Sequence, residues 1–318
     1  MNAIFMEPVF KQMIWGGTRL HTEFGYDIPG ENTGECWAIS AHPNGDCHIR
    51  DGEFAGMKLS ELWRDHGELF GLTEKSDMES VFPLLTKIID AKEDLSIQVH
   101  PDDGYAREHE GGELGKTECW YVLDADAGTT IVIGHNACSK EELTEMVREG
   151  KWTELLREIP VKKGDFFQIP PGTIHAIKGN TMILETQQNS DVTYRLYDYD
   201  RLSNGKPREL HTHQSLDVIR VPFDPDLTGR TPSDKHVPTE NTWFEELVNC
   251  DLYTVWHASV SGGEVIHQDR DFLLVSVIDG EGKLGDVPVK KGDHFILPYG
   301  FEKTPIQGNM ELIISASS

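Results

Sequence analysis

Two stretches of this chain repeat one another. Val161–Asn180 reads VKKGDFFQIPPGTIHAIKGN, and Val289–Asn309 reads VKKGDHFILPYGFEKTPIQGN. Their first twelve positions, ending at Gly172 and Gly300, share eight identities. Each copy reads as strand, Gly-Asp turn, strand, Pro-x-Gly turn and a further strand. Gly164 and Gly292 suit a tight turn, and Pro170 and Pro298 end the strand that follows. An antiparallel module used twice, with turn signals about every 8–12 residues, points to a double β-barrel or jelly roll. After the second turn the copies diverge: His175 of the first stands opposite Lys303 of the second.

The rest of the chain agrees with a mainly β fold. Short apolar runs such as ECWAIS, PLLTKIIDA, LSIQVH, CWYVLDA, TTIVIGH and TMILETQQ are separated by glycine, proline and aspartate. Helical periodicity is confined to a few places. Residues 59–71 carry it, as do 139–159, which open with Ser139 and Glu142 as a capping box. Asp102 is placed to cap a short helix. The proline-rich, polar stretch 222–241 follows an apparent helix, HQSLDVI, and reads as a linker. We therefore expect a catalytic barrel domain over 1–225 and a second barrel over 226–318.

Composition narrows the partners. The 318 residues, 38% hydrophobic, suffice for one large domain or two ordinary ones. A formal net charge of −25 argues against a nucleic-acid or membrane-surface binder. A small anionic ligand stays possible, because a local cluster of cations overrides the overall field. The five cysteines are odd in number and lack CxxC spacing, which disfavours a disulfide framework or a four-cysteine zinc site. The first residues lack the basic start and apolar run of a secretion signal, and no stretch approaches a membrane span of about 18 apolar residues. The expectation is a cytoplasmic protein.

Gly164 to His175 fits G-x5-P-x-G-x2-H, similar to the second motif of the cupin barrels, where the histidine is a metal ligand. Other ligands should come from earlier strands. In LSIQVHP, Gln98 and His100 share one face and Leu95, Ile97 and Val99 take the other. By the same rule Lys116 and Glu118 share a face, as do Ile183, Glu185 and Gln187. A barrel interior that collects Gln98, His100, Glu118 and His175 offers two imidazoles, a carboxylate and an amide oxygen, a set suited to Zn²⁺. The His-x-His at His211 and His213 has metal-like spacing but precedes an apparent helix, so it is read as no site.

The stretches LLTKIIDAKEDLSIQVHPDD, GKTECWYVL, GDFFQIPPGTIHAI and NSDVTYRLYDYDR, with IWGG and GECWAIS before them, resemble the type I mannose-6-phosphate isomerases in their short bacterial form. The resemblance runs over nearly the whole chain, with the motifs in the family's order. It implies two cupin-like barrels and one zinc ion bound by Gln98, His100, Glu118 and His175. Gln98 has the alternative of binding a sugar hydroxyl. The family's active-site arginine falls on Arg195.

The implied reaction interconverts mannose 6-phosphate and fructose 6-phosphate through a cis-enediol. Zinc acts as a Lewis acid, and Arg195 faces the developing charge or the phosphate. Lys116 and Glu185 are the candidate proton-transfer groups. For Lys116 the alternative is a salt bridge to Glu118 or Glu185. Lys87 and Arg201 are candidate phosphate contacts by charge alone, with a surface or structural role as the alternative for each. The second barrel, with Lys303 in place of His175, is expected to hold no metal, since an ammonium is a poor zinc ligand. Two other classes compete. A cupin oxygenase would want iron and a richer histidine set. A sugar-sensing cupin would normally be joined to a helix-turn-helix, and none is visible.

Overall fold

The computed structural model describes residues 3–74, 80–203, 205–229, 242–301 and 303–318. The chain is mainly β, and every strand pairing in its sheets is antiparallel. Three sheets form successive layers. A five-stranded sheet has the order Tyr194–Tyr197, Ile97–Val99, His175–Ala176, Thr130–His135, Leu156–Pro160. A six-stranded sheet has the order Phe166–Ile169, Glu118–Ala125, Thr181–Gln188, Leu84–Ala91, Val9–Gly17, Thr33–Ile39. An eight-stranded sheet contains the strands from Trp243 onward, joined by Ile4–Glu7 and His48–Ile49 from the other end of the chain. The expected linker falls largely on residues 230–241, outside the described residues.

Strand alternation decides what lies between the layers. Trp120, Val122 and Ile183 of the six-stranded sheet meet Ile131 and Ile133 of the five-stranded one, making the jelly-roll core. Their neighbours of opposite parity, Cys119, Tyr121, Leu123, Met182 and Leu184, pack against Tyr253, Val255, Leu274 and Ile313 of the third sheet. The middle sheet thus carries apolar side chains on both faces, and each fully buried aliphatic side chain in it contributes about 2 kcal/mol of transfer free energy. The third sheet curls around a core drawn from its own strands, including Phe5, Val260, Val275, Phe295 and Leu312. The outer face of the five-stranded sheet carries Ile97, Val99, Val132 and Leu196. Leu143, Leu155 and Ile219, from or beside the short helices, cover it. Leu95 departs from the expected alternation and joins the inter-sheet core, because it lies two residues before the strand begins.

The repeat is a repeat in structure too. In the first copy Asp165 N donates to Lys162 O, and the Asp165 carboxylate accepts from Lys162 N at 2.9 Å. Asp293 and Lys290 make the same two bonds in the second. Gly164 and Gly292 both take positive φ, +84° and +91°. The Pro-x-Gly turns close alike, Thr173 N on Pro170 O and Phe301 N on Pro298 O, each 3.2 Å.

The helical readings need three corrections. Residues 59–71 form an α-helix, Leu59–Asp65, then a 3₁₀ turn, Gly67–Phe70, broken at His66. Residues 139–159 form helices Lys140–Arg148 and Trp152–Leu155, but the remainder is the strand Leu156–Pro160, drawn into pairing with Thr130–His135. Ser139 caps Glu142 N as expected, while the Glu142 side chain accepts from Cys138 N rather than Ser139 N, so the box is not closed. Asp102 does cap its helix, through Tyr105 N at 2.9 Å. None of the described helices is long and apolar enough to cross a membrane.

Candidate metal and active site

The two facing sheets bring three expected ligands together. Gln98 lies on the strand Ile97–Val99, and His100 follows its end. His175 opens a two-residue strand and pairs directly with Gln98. Glu118 opens its own strand in the opposite sheet. The Pro-x-Gly turn fixes the geometry, since Gly172 N donates to the His100 carbonyl at 2.9 Å. Gly172 has φ +79°, and a Cβ there would lie 2.7 Å from the Val218 carbonyl oxygen, so glycine is required.

One donor atom from each of His100, Glu118 and His175 lies within 4.8 Å of the others, and among the described residues this is the one such group of His, Cys, Asp and Glu. His100 Nε2 and His175 Nε2 stand 3.4 and 3.3 Å from the two Glu118 oxygens. Each ring is held from behind: His100 Nδ1 lies 2.9 Å from Val192 O, and His175 Nδ1 2.9 Å from Thr173 O. An Nδ1–H donated to a carbonyl leaves Nε2 unprotonated and facing inward, the arrangement found behind metal-bound histidines. His100 Nε2 has no hydrogen-bond partner among the described residues, and neither Glu118 oxygen makes a well-oriented bond. Buried lone pairs turned toward one another in this way fit a divalent cation.

Electrostatics keep the ligands in binding form. Burial, then Lys116, pushes the His100 pKa down to about 3, against the pull of Glu118. Burial also lowers His175. Burial alone would raise Glu118, but Lys116 and His100 outweigh it and hold the carboxyl well below its usual range. Neutral imidazoles and an ionised carboxylate are what a divalent ion requires. The Gln98 amide presents nitrogen to His175 Nε2 at 3.2 Å. A half-turn of the amide would present oxygen there, as ligation or a sugar hydroxyl donor requires.

The candidate acid–base groups stand beside this cluster. Lys116 Nζ lies 2.8 Å from Glu118 Oε2 and 3.7 Å from Glu185 Oε1. Burial, then the Glu118 charge, raises the Glu185 pKa. Lys87, expected as a phosphate contact, is instead buried between Glu185 (3.1 Å) and Glu35 (4.0 Å), and those charges raise its pKa despite burial. The charges alternate Glu35, Lys87, Glu185, Lys116, Glu118 along the interior. Sequence reading missed Glu35 and two indoles that orient the carboxylates: Trp37 Nε1 donates to Glu35 and Trp120 Nε1 to Glu185. The signal was alternation, since Glu35 and Trp37, like Glu118 and Trp120, are two apart on one strand.

Arg195 lies opposite Gln98 in register, so the two side chains share a sheet face. One guanidinium nitrogen donates to Glu209 O at 2.9 Å, while buried Nε has no hydrogen-bond partner among the described residues. Burial, then Arg208, lowers its pKa against the pull of Asp198, and arginine stays protonated all the same. Arg201, the other expected phosphate contact, pairs with Asp198 at 2.6 Å and donates to Asp94 O. Arg208, which sequence reading did not single out, shares Asp198. Three arginines around one carboxylate make a local cationic patch in an acidic protein. His213 is exposed and faces Asp217, and His211 Nδ1 accepts from Arg195 N. Lys303 is exposed on the last strand and pairs in register with His267.

The model for the catalytic domain of phosphomannose isomerase type I matches residues 4–123, and the model for the cupin domain of mannose-6-phosphate isomerase matches residues 244–317. The chain is 50% identical over 319 residues to mannose-6-phosphate isomerase ManA of Bacillus subtilis, covering 99% of this chain and 98% of that protein. It is 49% identical over 322 residues to mannose-6-phosphate isomerase of Streptococcus mutans, covering 100% and 99%. A crystal structure of mannose 6-phosphate isomerase from Bacillus subtilis superposes with a TM-score of 0.93 at 48% identity, covering 99% of this chain and all of that one. The chain belongs to the type I phosphomannose isomerase family.

Proposed function

We propose that the protein is a zinc-dependent aldose–ketose isomerase that interconverts mannose 6-phosphate and fructose 6-phosphate through a cis-enediol. The observation that carries the reading is the buried group of His100, Glu118 and His175, whose ligand atoms lie within 4.8 Å of one another beside Lys116 and Glu185. The near-half identity to enzymes named for this reaction supplies the substrate. His100, Glu118 and His175 would hold the ion, with Gln98 as fourth ligand or as a hydroxyl contact. When bound, zinc supplies Lewis acidity toward the sugar oxygens.

The chain's own residues do the rest. A proton next to a carbonyl is very weakly acidic, so charge must be stabilised where it develops, and Arg195 is the fixed cation on the Gln98 face. Lys116 and Glu185, 3.7 Å apart, form the pair that takes the proton from one carbon and returns it to the next. Lys87 and Glu35 hold Glu185 in place. The cationic patch of Arg195, Arg201 and Arg208 is the candidate seat of the phosphate.

We assign catalysis to a unit of about residues 1–225. The barrel over 226–318 carries no catalytic ligand in this reading, with Lys303 standing where the first copy has His175. The cysteines are free, and three are buried, which suits a reducing cytoplasm. A coupled assay tests the function. Fructose 6-phosphate should form from mannose 6-phosphate with purified protein, and its absence in folded, zinc-loaded protein would remove the proposal.

A further inference from the structure

The second barrel has lost a histidine but kept a cavity. In the first barrel His175 pairs in register with Gln98, at the metal site. In the second, Lys303 pairs with His267, and the next residue, Gln268, lines a cavity of about 630 Å³. Gln268 Nε2 lies within hydrogen-bond distance of Leu297 O and Pro298 O of the repeated turn, and of Arg270 O. The first barrel ties its turn to His100 at the corresponding end. The cavity thus lies beside the strand end that carries Lys303, on the opposite strand face, since Gln268 is one residue from His267.

Its lining has a definite chemistry. Trp256 and Phe244 bring aromatic faces, and Ile266, Leu273 and Ile314 the apolar floor. Glu246, Glu264, Gln268 and Arg270 bring polar groups. The Gln268 amide is fixed by its donor bonds, and its buried Oε1 has no hydrogen-bond partner among the described residues. Arg270 lies over the Trp256 ring at 5.8 Å, so a cation already covers part of that face. Glu246, Glu264 and Asp269 outnumber Arg270, which disfavours a phosphate.

We infer that this cavity binds an uncharged sugar. A pyranose stacks its C–H face on an aromatic ring, donates hydroxyls to carboxylate oxygens, and accepts from a guanidinium. A cavity of this volume lies within the usual range for small-molecule sites, about 300–1,000 Å³. The site differs from the first in ligand class: it excludes the phosphate that the arginine patch accepts.

The test uses the full-length, metal-loaded protein and unphosphorylated D-mannose, followed by ligand-observed NMR. Binding should persist when mannose 6-phosphate saturates the first barrel. Trp256→Ala should weaken it by about tenfold or more, from loss of the stacking surface, with turnover of mannose 6-phosphate unchanged. Should that variant fail to fold, Arg270→Glu, at the cavity rim, should weaken mannose binding about as much. Absence of mannose binding would overturn the inference. So would displacement by mannose 6-phosphate, indifference to a folded variant, or binding of tetramethylammonium in preference to mannose.

Discussion

Lys87 Nζ lies 3.1 Å from Glu185 Oε1, and both groups are buried. With Glu35 on its other side, this lysine serves two interior carboxylates at once. Removing one member of a buried ion pair leaves a charge without compensation, at a cost of about 3–5 kcal/mol. Lys87→Met should therefore destabilise the protein by roughly 3 kcal/mol in denaturant unfolding. Adding Glu35→Gln should recover part of the loss. Strict additivity of the two changes would mean that the pair does not act as a unit.

Arg195→Lys keeps the charge and loses the planar fork. If Arg195 acts on the transition state, the turnover number should fall by about a hundredfold or more, with zinc content and melting temperature nearly unchanged. A lower melting temperature with full turnover in the folded fraction would make the arginine structural.

Lys303→Ala should leave turnover within about threefold of the parent, since the side chain is exposed and stands in the barrel to which we assign no catalysis. A hundredfold loss in folded protein would show that the second barrel contributes to the chemistry.

The repeat made the fold legible. Its glycines, aspartates and prolines fix turns through local bonds, and those bonds recur at both copies. That His175, Gln98, His100 and Glu118 would come together was legible because motif and alternation are also local. What stayed hidden depends on pairing between distant strands. Nothing near Leu156–Pro160 announces that Thr130–His135 will claim it as a strand. Nothing near Ile4–Glu7 announces that it will pair with His294–Leu297 from the far end of the chain. Lys87 was a candidate phosphate contact by charge alone, with a structural role as the alternative, and the carboxylates flanking it become visible only in register. The same holds for Arg208, which meets Arg201 only through the shared Asp198.

Acid stability offers a separate check. His294 is buried, with Nδ1 2.8 Å from Ser276 Oγ and Nε2 2.8 Å from Tyr26 Oη. Burial lowers its pKa to about 4 from an ordinary 6.5, with Asp293 pulling up and Arg50 down. Between those values the unfolded chain binds the extra proton and the folded chain does not, so stability rises with pH through the window. The contribution is complete above about pH 6.5 and is lost as pH falls to about 4, amounting to roughly 3 kcal/mol. The unfolding free energy of the parent should therefore fall more steeply than that of His294→Gln between pH 7 and about 4.5. Parallel curves would show that His294 is not held neutral by the fold.

The central claim is that a single zinc, held by His100, Glu118 and His175, enables the isomerisation. The most direct measurement follows fructose 6-phosphate formation from mannose 6-phosphate while zinc is returned to chelator-treated protein. The account predicts activity that is abolished by chelation, rises in proportion to zinc, and levels off at about one ion per chain. It predicts that His175→Ala, folded to the same extent, neither retains the ion nor regains the activity. Undiminished turnover in zinc-free protein, or full zinc retention in His175→Ala, would contradict it.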